Sequence, residues 1–344
     1  MAIIGAGVAG LAAAFELSRR GIEAEVFEAA ARLGGRCVTG WHGPARFDTG
    51  AQFFRTGTPD ARTLVLDRLP AGDLVDVRKD VVPFAADGVI GAGDPAQNAE
   101  PKWVYRQGIG ELPRLLARAS GAHVHLGCAV QSLRREADGW RLVTPTGNAG
   151  PFAAVLVTAT PAAAFRLLEG SHAPGVVDLS KALSTARYRS IASVVLRPGT
   201  PVAAPEGVYA MVNSDRAHAV SWLAFEHEKP GYAPPGECVL VAQMASGWSA
   251  PRMGADDRAL AFEAAEEVAA LLGEAVPPRW WHVERWPEAL PDTLIAAETV
   301  TTAEDAGLFF AGDAATGGRV HLALESGLSA ARRMARALDG VPAR

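Results

Sequence analysis

The stretch Ala2-Ile3-Ile4-Gly5-Ala6-Gly7-Val8-Ala9-Gly10 constrains this chain more than any other. A short apolar run enters a glycine turn. Val8, Leu11, Ala12 and Phe15 then recur on one helical face, and a second strand-like run spans Glu23 to Glu28. Gly5 allows a sharp turn, Gly7 lets backbone approach a diphosphate, and Gly10 lets the helix pack closely on its strand. The first-turn amides and the positive end of the helix dipole then face an anion. Glu28 stands near the ~20-residue offset at which an acid grips a ribose hydroxyl. With 36 glycines in 344 residues, such a spacing also arises by chance, so the flanking strand, helix and acid carry the argument. The competing reading is an ordinary strand–helix–strand unit with glycines for packing.

A chain of this length accommodates two domains of roughly 100–200 residues each. Its 49% apolar and 21% charged residues suit a globular protein. A net charge of −5 gives no electrostatic footprint for nucleic acid or an anionic membrane, and neither is an expected partner. Cys37, Cys128 and Cys238 lie far apart and are odd in number, which fits a reducing compartment better than a disulfide framework. The chain opens on its first strand without an apolar leader, and no apolar run approaches the ~18 residues of a membrane span. The expectation is a soluble cytoplasmic protein. His123 and His125 share a strand face but lack a third ligand at a recognisable spacing, so no metal is expected. Phosphate-loop, nucleophile-elbow and zinc-protease motifs are absent from the sequence.

Beyond Glu28, Gly34-Gly35 lets the chain fold tightly beside a nucleotide. Arg36 offers a planar fork suited to phosphate oxygens, while Arg32 reads equally well as a surface loop residue. The combined pattern Glu28-x-x-x-Arg32-x-Gly34-Gly35-Arg36-x-x-Thr39 resembles the flavin-dependent amine oxidase superfamily, whose members hold FAD in this half of the fold. The resemblance implies an α/β chain: a Rossmann-like FAD-binding domain of the amine oxidase and p-hydroxybenzoate hydroxylase type, with an inserted α+β substrate domain built on an antiparallel sheet. The expected FAD-binding domain comprises 1–58, 109–165 and 291–344. The substrate domain would comprise 59–108 and 166–290.

The same resemblance implies FAD contacts at Gly5, Gly7, Ala9, Gly10, Glu28, Ala29, Gly35 and Arg36. It also implies an adenine held by backbone at Val130 and a contact at Thr158, in the apolar run Ala154–Thr160. Phe47-Asp48-Thr49-Gly50-Ala51-Gln52-Phe53-Phe54 is similar to the segment that passes the isoalloxazine ring, in the form found in the small renalase-like branch. Gly50 and Ala51 leave room for a flat ring, and Gln52 suits a hydrogen bond to its edge. Asp48-Thr49-Gly50 is also ordinary turn chemistry.

Aromatic residues accumulate in the middle of the chain, where they either wall a flat substrate or fill a core. Trp222 and Trp286 are the pocket candidates. Arg285-Trp286-Pro287-x-Ala289-Leu290-Pro291 resembles a segment of protoporphyrinogen oxidases and desaturase-like relatives. Near the end, Leu308–Ala311 runs into Gly312-Asp313, then Gly317-Gly318-Arg319-Val320 and a helix with Leu324, Leu328, Ala331, Ala335 and Leu338 on one face. This is similar to the superfamily's C-terminal flavin motif. It implies that Gly312 and Asp313 approach the pyrophosphate and ribityl chain, with Arg319 and Val320 at the pyrimidine edge. A helix N-terminus there stabilises the negative charge of reduced flavin.

The motif departs from its relatives at His321-Leu322-Ala323, where Glu-Gly-Ala is usual. His321 reads either as a pocket acid or base or as a residue of the helix start. No cysteine falls where some relatives attach FAD covalently, so the cofactor is expected to be noncovalent. No lysine matches the one that many amine oxidases set beside flavin N5. With the short length, this favours a renalase-like enzyme that moves a hydride from a small reduced substrate, an isomeric dihydro-NAD(P), to flavin N5. O2 would be the acceptor, giving H2O2. The alternatives are a flavin-containing amine oxidase, a protoporphyrinogen-oxidase or desaturase-like enzyme, and a non-enzymatic flavin-holding sensor or scaffold. The sequence leaves the oligomeric state open.

Overall fold

The computed structural model describes residues 1–170, 173 and 175–339. The opening stretch folds as a strand, Ala2–Ile4, a glycine turn and a helix, Val8–Arg19. The strand is buried along its whole length, as the inner strand of a parallel sheet must be. It lies at the centre of a five-stranded sheet in the spatial order Leu308–Phe310, Val155–Val157, Ala2–Ile4, Glu25–Phe27, His123–His125, with every pair parallel. One sheet therefore draws on the beginning, the middle and the end of the chain. His125 stacks on Phe27 at 4.6 Å and its Nε2 lies 2.8 Å from Glu25 Oε2, so the edge histidines serve the sheet. Among the described residues no cluster of three or more His, Cys, Asp or Glu could hold a metal.

The last helix, Val320–Asp339, crosses the first one. Gly327 permits this close approach, since a Cβ there would lie 2.0 Å from the Ala9 carbonyl oxygen. An antiparallel meander of Ser132–Glu136, Gly139–Thr144 and Gly147–Phe152 adjoins the parallel sheet. Its Trp140 is fully buried and donates from Nε1 to the Ala306 carbonyl at 2.9 Å. The third meander strand escapes a sequence reading because its glycines and Pro151 carry little apolar alternation.

A second sheet has six strands, in the order Pro278–Pro291, Tyr188–Pro198, Leu240–Met244, Val220–Phe225, Val208–Asn213, Asp80–Phe84. All pairs are antiparallel except the last. Pro287 and Pro291 are tolerated because their strand is an edge. One face packs on the helix Asp257–Leu272 through Leu260, Ala264 and Val268. That helix starts where Asp256 accepts from the Arg258 and Ala259 amides at 3.0 and 3.1 Å. The opposite face covers the hairpin of Thr39–His42 and Ala45–Asp48.

The glycine- and proline-rich stretch 88–101 holds a short helix, Pro95–Ala99, because Asp94 caps it at Ala96 and Gln97. The helix Val176–Thr185 precedes Tyr188–Pro198, the first long strand of the second sheet. Val176, Leu179 and Leu183 pack with Val155 and Phe310 against the parallel sheet, so this helix shares the first core. No described helix is long and apolar enough to cross a membrane.

Candidate functional site

The glycine turn is built in layers. Gly5 takes φ +106°, and a Cβ on it would fall 2.7 Å from Thr158 Oγ1. A Cβ on Gly10 would meet the Gly5 carbonyl oxygen at 2.1 Å. Thr158 Oγ1 lies 3.0 Å from the Ile4 carbonyl and 3.2 Å from that of Gly5, so this side chain seats the turn from below. Gly7 differs. It caps the helix without a side-chain hydrogen bond, and a Cβ on it would meet nothing within 4 Å. Ala9 is buried in the first helical turn. Gly34 N donates to the Ala6 carbonyl at 2.9 Å, and Gly35 packs over Gly7.

Glu28 tethers this turn to the second strand, accepting from Ala6 N at 2.7 Å and Ala30 N at 2.8 Å. Ala29 beside it is exposed. The amides of Gly127 and Cys128 donate to the Ala30 and Glu28 carbonyls, each at 2.8 Å, which brings the stretch leading to Val130 alongside. At the other end, Gly312 takes φ +136°, donates to Ser326 Oγ at 3.0 Å, and also borders open space. Gly7 and Gly312 thus leave room at the carboxyl ends of parallel strands, where a dinucleotide diphosphate binds. The cradle fits FAD.

Arg36 has a different partner from the expected phosphate. Its two terminal nitrogens donate to Asp313 at 2.7 Å each, and Nη1 also reaches the Ala289 carbonyl at 2.8 Å. Tyr188 OH adds a 3.1 Å hydrogen bond to the same carboxylate. Asp313 is nearly buried and needs a counter-charge, which a two-point guanidinium supplies. Arg36 therefore clasps the loop after the second strand to the turn at Gly312-Asp313.

The segment 49–53 lies against the second sheet. Trp286 Nε1 donates to the Thr49 carbonyl at 2.9 Å, and Gln243 Nε2 donates to the Gly50 carbonyl at 2.6 Å. Gly50 is required by backbone, not by a ring: a Cβ would fall 1.9 Å from the Arg36 carbonyl oxygen, which Ala51 N already binds at 2.9 Å. Gln52 also departs from expectation. Its buried amide donates to the Asp48 carbonyl, and its Oε1 lies 3.4 Å from both Tyr209 OH and Lys229 Nζ. Trp222 packs on Phe53 and Tyr209, with its buried Nε1 left without a partner.

Gln52, Trp222 and Trp286 therefore converge on 49–53, whereas His321 sits apart. It lies in the first turn of the last helix, where a Cβ on Gly57 would be 3.2 Å from its Nε2. Burial, helped by Arg319 and Arg55, holds its pKa below the ordinary value and favours the neutral imidazole. Arg319 is exposed, and Val320 packs against the first helix's core.

Behind 49–53 lies a charge cluster that the sequence reading missed. Lys229 is fully buried, 2.9 Å from Asp48 Oδ2 and 2.8 Å from Glu226 Oε1. Tyr232 OH donates to Asp48 Oδ2 at 2.5 Å, while Thr39 Oγ1 and Ile109 N donate to Oδ1 at 2.6 and 3.2 Å. The Asp48 amide donates to Glu226 Oε2 at 2.8 Å. The sequence conceals it: Lys229, one of four lysines, stands in the charged run Glu226-His227-Glu228-Lys229, which reads as a solvated turn.

The family model for flavin containing amine oxidoreductases matches residues 94–335, well over half of the chain. The chain belongs to that family. It is an FAD-dependent oxidoreductase, and the model for NAD(P)-binding Rossmann-like domains matches residues 3–69. Protoporphyrinogen oxidase 2, chloroplastic/mitochondrial, from Arabidopsis thaliana is 39% identical over 67 residues, which span 20% of this chain and 13% of that protein. A provisionally assigned protoporphyrinogen oxidase from Exiguobacterium sp. 255-15 superposes with a TM-score of 0.78 at 15% identity, covering 98% of each chain. A redesigned putrescine oxidase gives 0.70 at 14% identity over 97% of this chain and 98% of its own. A fatty acid isomerase from P. acnes gives 0.71 at 14% over 96% and 97%. At such identities the likeness speaks for the fold, and one fold here carries oxidation and isomerisation alike.

Proposed function

We propose that this family member is a renalase-like oxidase that takes a hydride from a small reduced substrate, an isomeric dihydronicotinamide dinucleotide, and passes the electrons to O2, giving H2O2. Bound FAD supplies the hydride-accepting chemistry, and the protein's part is to bind, orient and exclude water. The glycine turns at Gly7 and Gly312, with Glu28 and the Arg36–Asp313 clasp, hold the dinucleotide. Arg319 and Val320, at the N-terminus of the helix Val320–Asp339, would hold the ring end of the cofactor, where the helix dipole would favour its reduced, anionic form, and Trp222, Trp286 and Phe53 would wall the substrate.

One observation carries the choice of substrate. Lys229, a buried lysine touching 48–52, spends its charge on Asp48 and Glu226 and is held protonated by them against its burial. It is not a base for deprotonating an ammonium. An amine must lose a proton before it yields a hydride, whereas a dihydronicotinamide yields one directly.

FAD is held noncovalently. Cys37 and Cys238 are buried, and burial pushes the Cys37 thiol up to about 12 despite Arg36 beside it. Three unpaired cysteines support a cytoplasmic setting. A second reading, a protoporphyrinogen-type oxidase, is favoured by the Arabidopsis likeness and the Arg285–Pro291 segment. Anaerobic mixing with candidate donors separates them. Bleaching of the flavin absorbance by a dihydronicotinamide isomer supports the first. Bleaching only by an amine or a porphyrinogen overturns it.

A further inference from the structure

Asp48 and Glu226 share one ammonium, Lys229, in a space closed to solvent. Two carboxylates and one cation leave either one excess negative charge or one extra proton. The hydrogen bonds decide where that proton goes. Asp48 accepts from Lys229, Tyr232, Thr39 and the Ile109 amide, four donors that all favour the anion. Glu226 accepts from one amide and faces the same ammonium. Glu226 is therefore the member that exchanges a proton. The groups facing it are Asp48 from the 48–52 segment, Lys229 from its own turn, and the buried phenols Tyr209 and Tyr232, whose own pKa values burial raises.

We propose that Glu226 is a positioning residue that keeps one exchangeable proton beneath the 48–52 segment and thereby sets the reduction potential of the flavin seated on that segment. This rests on the reading proposed above, with the bound flavin passing 49–52 as the likeness of that segment to the family's ring-contacting stretch implies. A hydride brings two electrons and one proton, so flavin reduction adds one negative charge beside the cluster. One proton from solvent, bonding to a Glu226 carboxylate oxygen, offsets it. When Glu226 is ionised it opposes reduction, and when it is protonated it does not. Its position agrees, since burial and the Asp48 charge outweigh Lys229 and lift the carboxyl to about 7.

The test compares the flavin reduction potential of Glu226→Gln and native holoprotein well above and well below about pH 7. A more positive potential in the variant above that pH, and coincidence below it, supports the proposal. An equal or lower potential above it, or the same offset on both sides, overturns it. A purely structural role would produce no such pH-dependent difference. If the variant fails to hold FAD, infrared difference spectra of the native protein decide. Flavin reduction above pH 7 should add a buried carboxylic acid band, and its absence contradicts the assignment. A native protein that takes up no FAD contradicts the site itself, whereas a yellow protein indifferent to Glu226 contradicts this inference alone.

Discussion

Arg36 and Asp313 stand 277 residues apart and form a two-point ion pair, with both guanidinium nitrogens 2.7 Å from carboxylate oxygens. The pair is only partly exposed, and it ties the loop after the second strand to the turn before the last helix. Asp313→Asn removes the charge that pays for Arg36's burial and should cost about 1–3 kcal/mol, because a desolvated cation loses its partner. Thermal unfolding of the apoprotein checks the stability loss, and fluorescence of released FAD checks the loosened grip. An unchanged melting temperature and FAD affinity would show that the clasp carries no energy.

The two fingerprint glycines nearest the cradle should separate folding from binding. An alanine methyl at Gly10 would collide with the Gly5 carbonyl at 2.1 Å, so Gly10→Ala should distort the turn and lower both stability and FAD content. At Gly7 the methyl meets no protein atom within 4 Å but enters the cradle. Gly7→Ala should keep the apoprotein within about 1 kcal/mol of native stability, the scale of an N-cap change. Its FAD affinity should nevertheless fall at least about tenfold, equivalent to about 1.4 kcal/mol. Titration with FAD and apoprotein melting distinguish the two.

Gly327 is the contact on which the first and last helices cross. Gly327→Ala places a methyl 2.0 Å from the Ala9 carbonyl oxygen, and the helices must separate to admit it. Overpacking of this kind costs about 1–3 kcal/mol. The expected outcome in denaturant titration is a lower midpoint, despite alanine's higher helix propensity. A higher midpoint would show that the crossing is looser than it stands here.

The sequence exposed the parallel sheet because three of its strands are short apolar runs that end in a turn, two of them at the glycines Gly5 and Gly312 and the middle one at Thr158 before Pro161. Spacing singled out Glu28, and the fold uses its carboxylate to hold the Ala6 and Ala30 amides of the glycine turn. The sequence misjudged Gly50 and Gln52, since their constraints come from the Arg36 carbonyl and from Lys229, residues brought near only by tertiary folding. The buried cluster was hidden for the same reason: Asp48 and Lys229 lie 181 residues apart, and neither has a local pattern that marks it as buried.

Glu226 also predicts a pH dependence of stability. Its carboxyl is raised from 4.5 to about 7 in the folded protein, so the folded state binds the proton more tightly than the unfolded chain. The stability this confers is complete below about pH 4.5 and is lost as pH rises through about 7. Glu226→Gln should remove that slope, giving a melting temperature that declines less than the native one across this window. Parallel slopes in the two proteins would contradict the assignment of the proton to Glu226.

The central claim is that two distant stretches of chain, around Gly7 and around Gly312, close on one FAD. Denaturing the purified protein and measuring the released flavin per chain, by absorbance, tests this most directly. One FAD per native chain, with less retained by Gly7→Ala while the fold persists, is the expected result. A colourless protein that stays colourless after incubation with FAD would contradict the account.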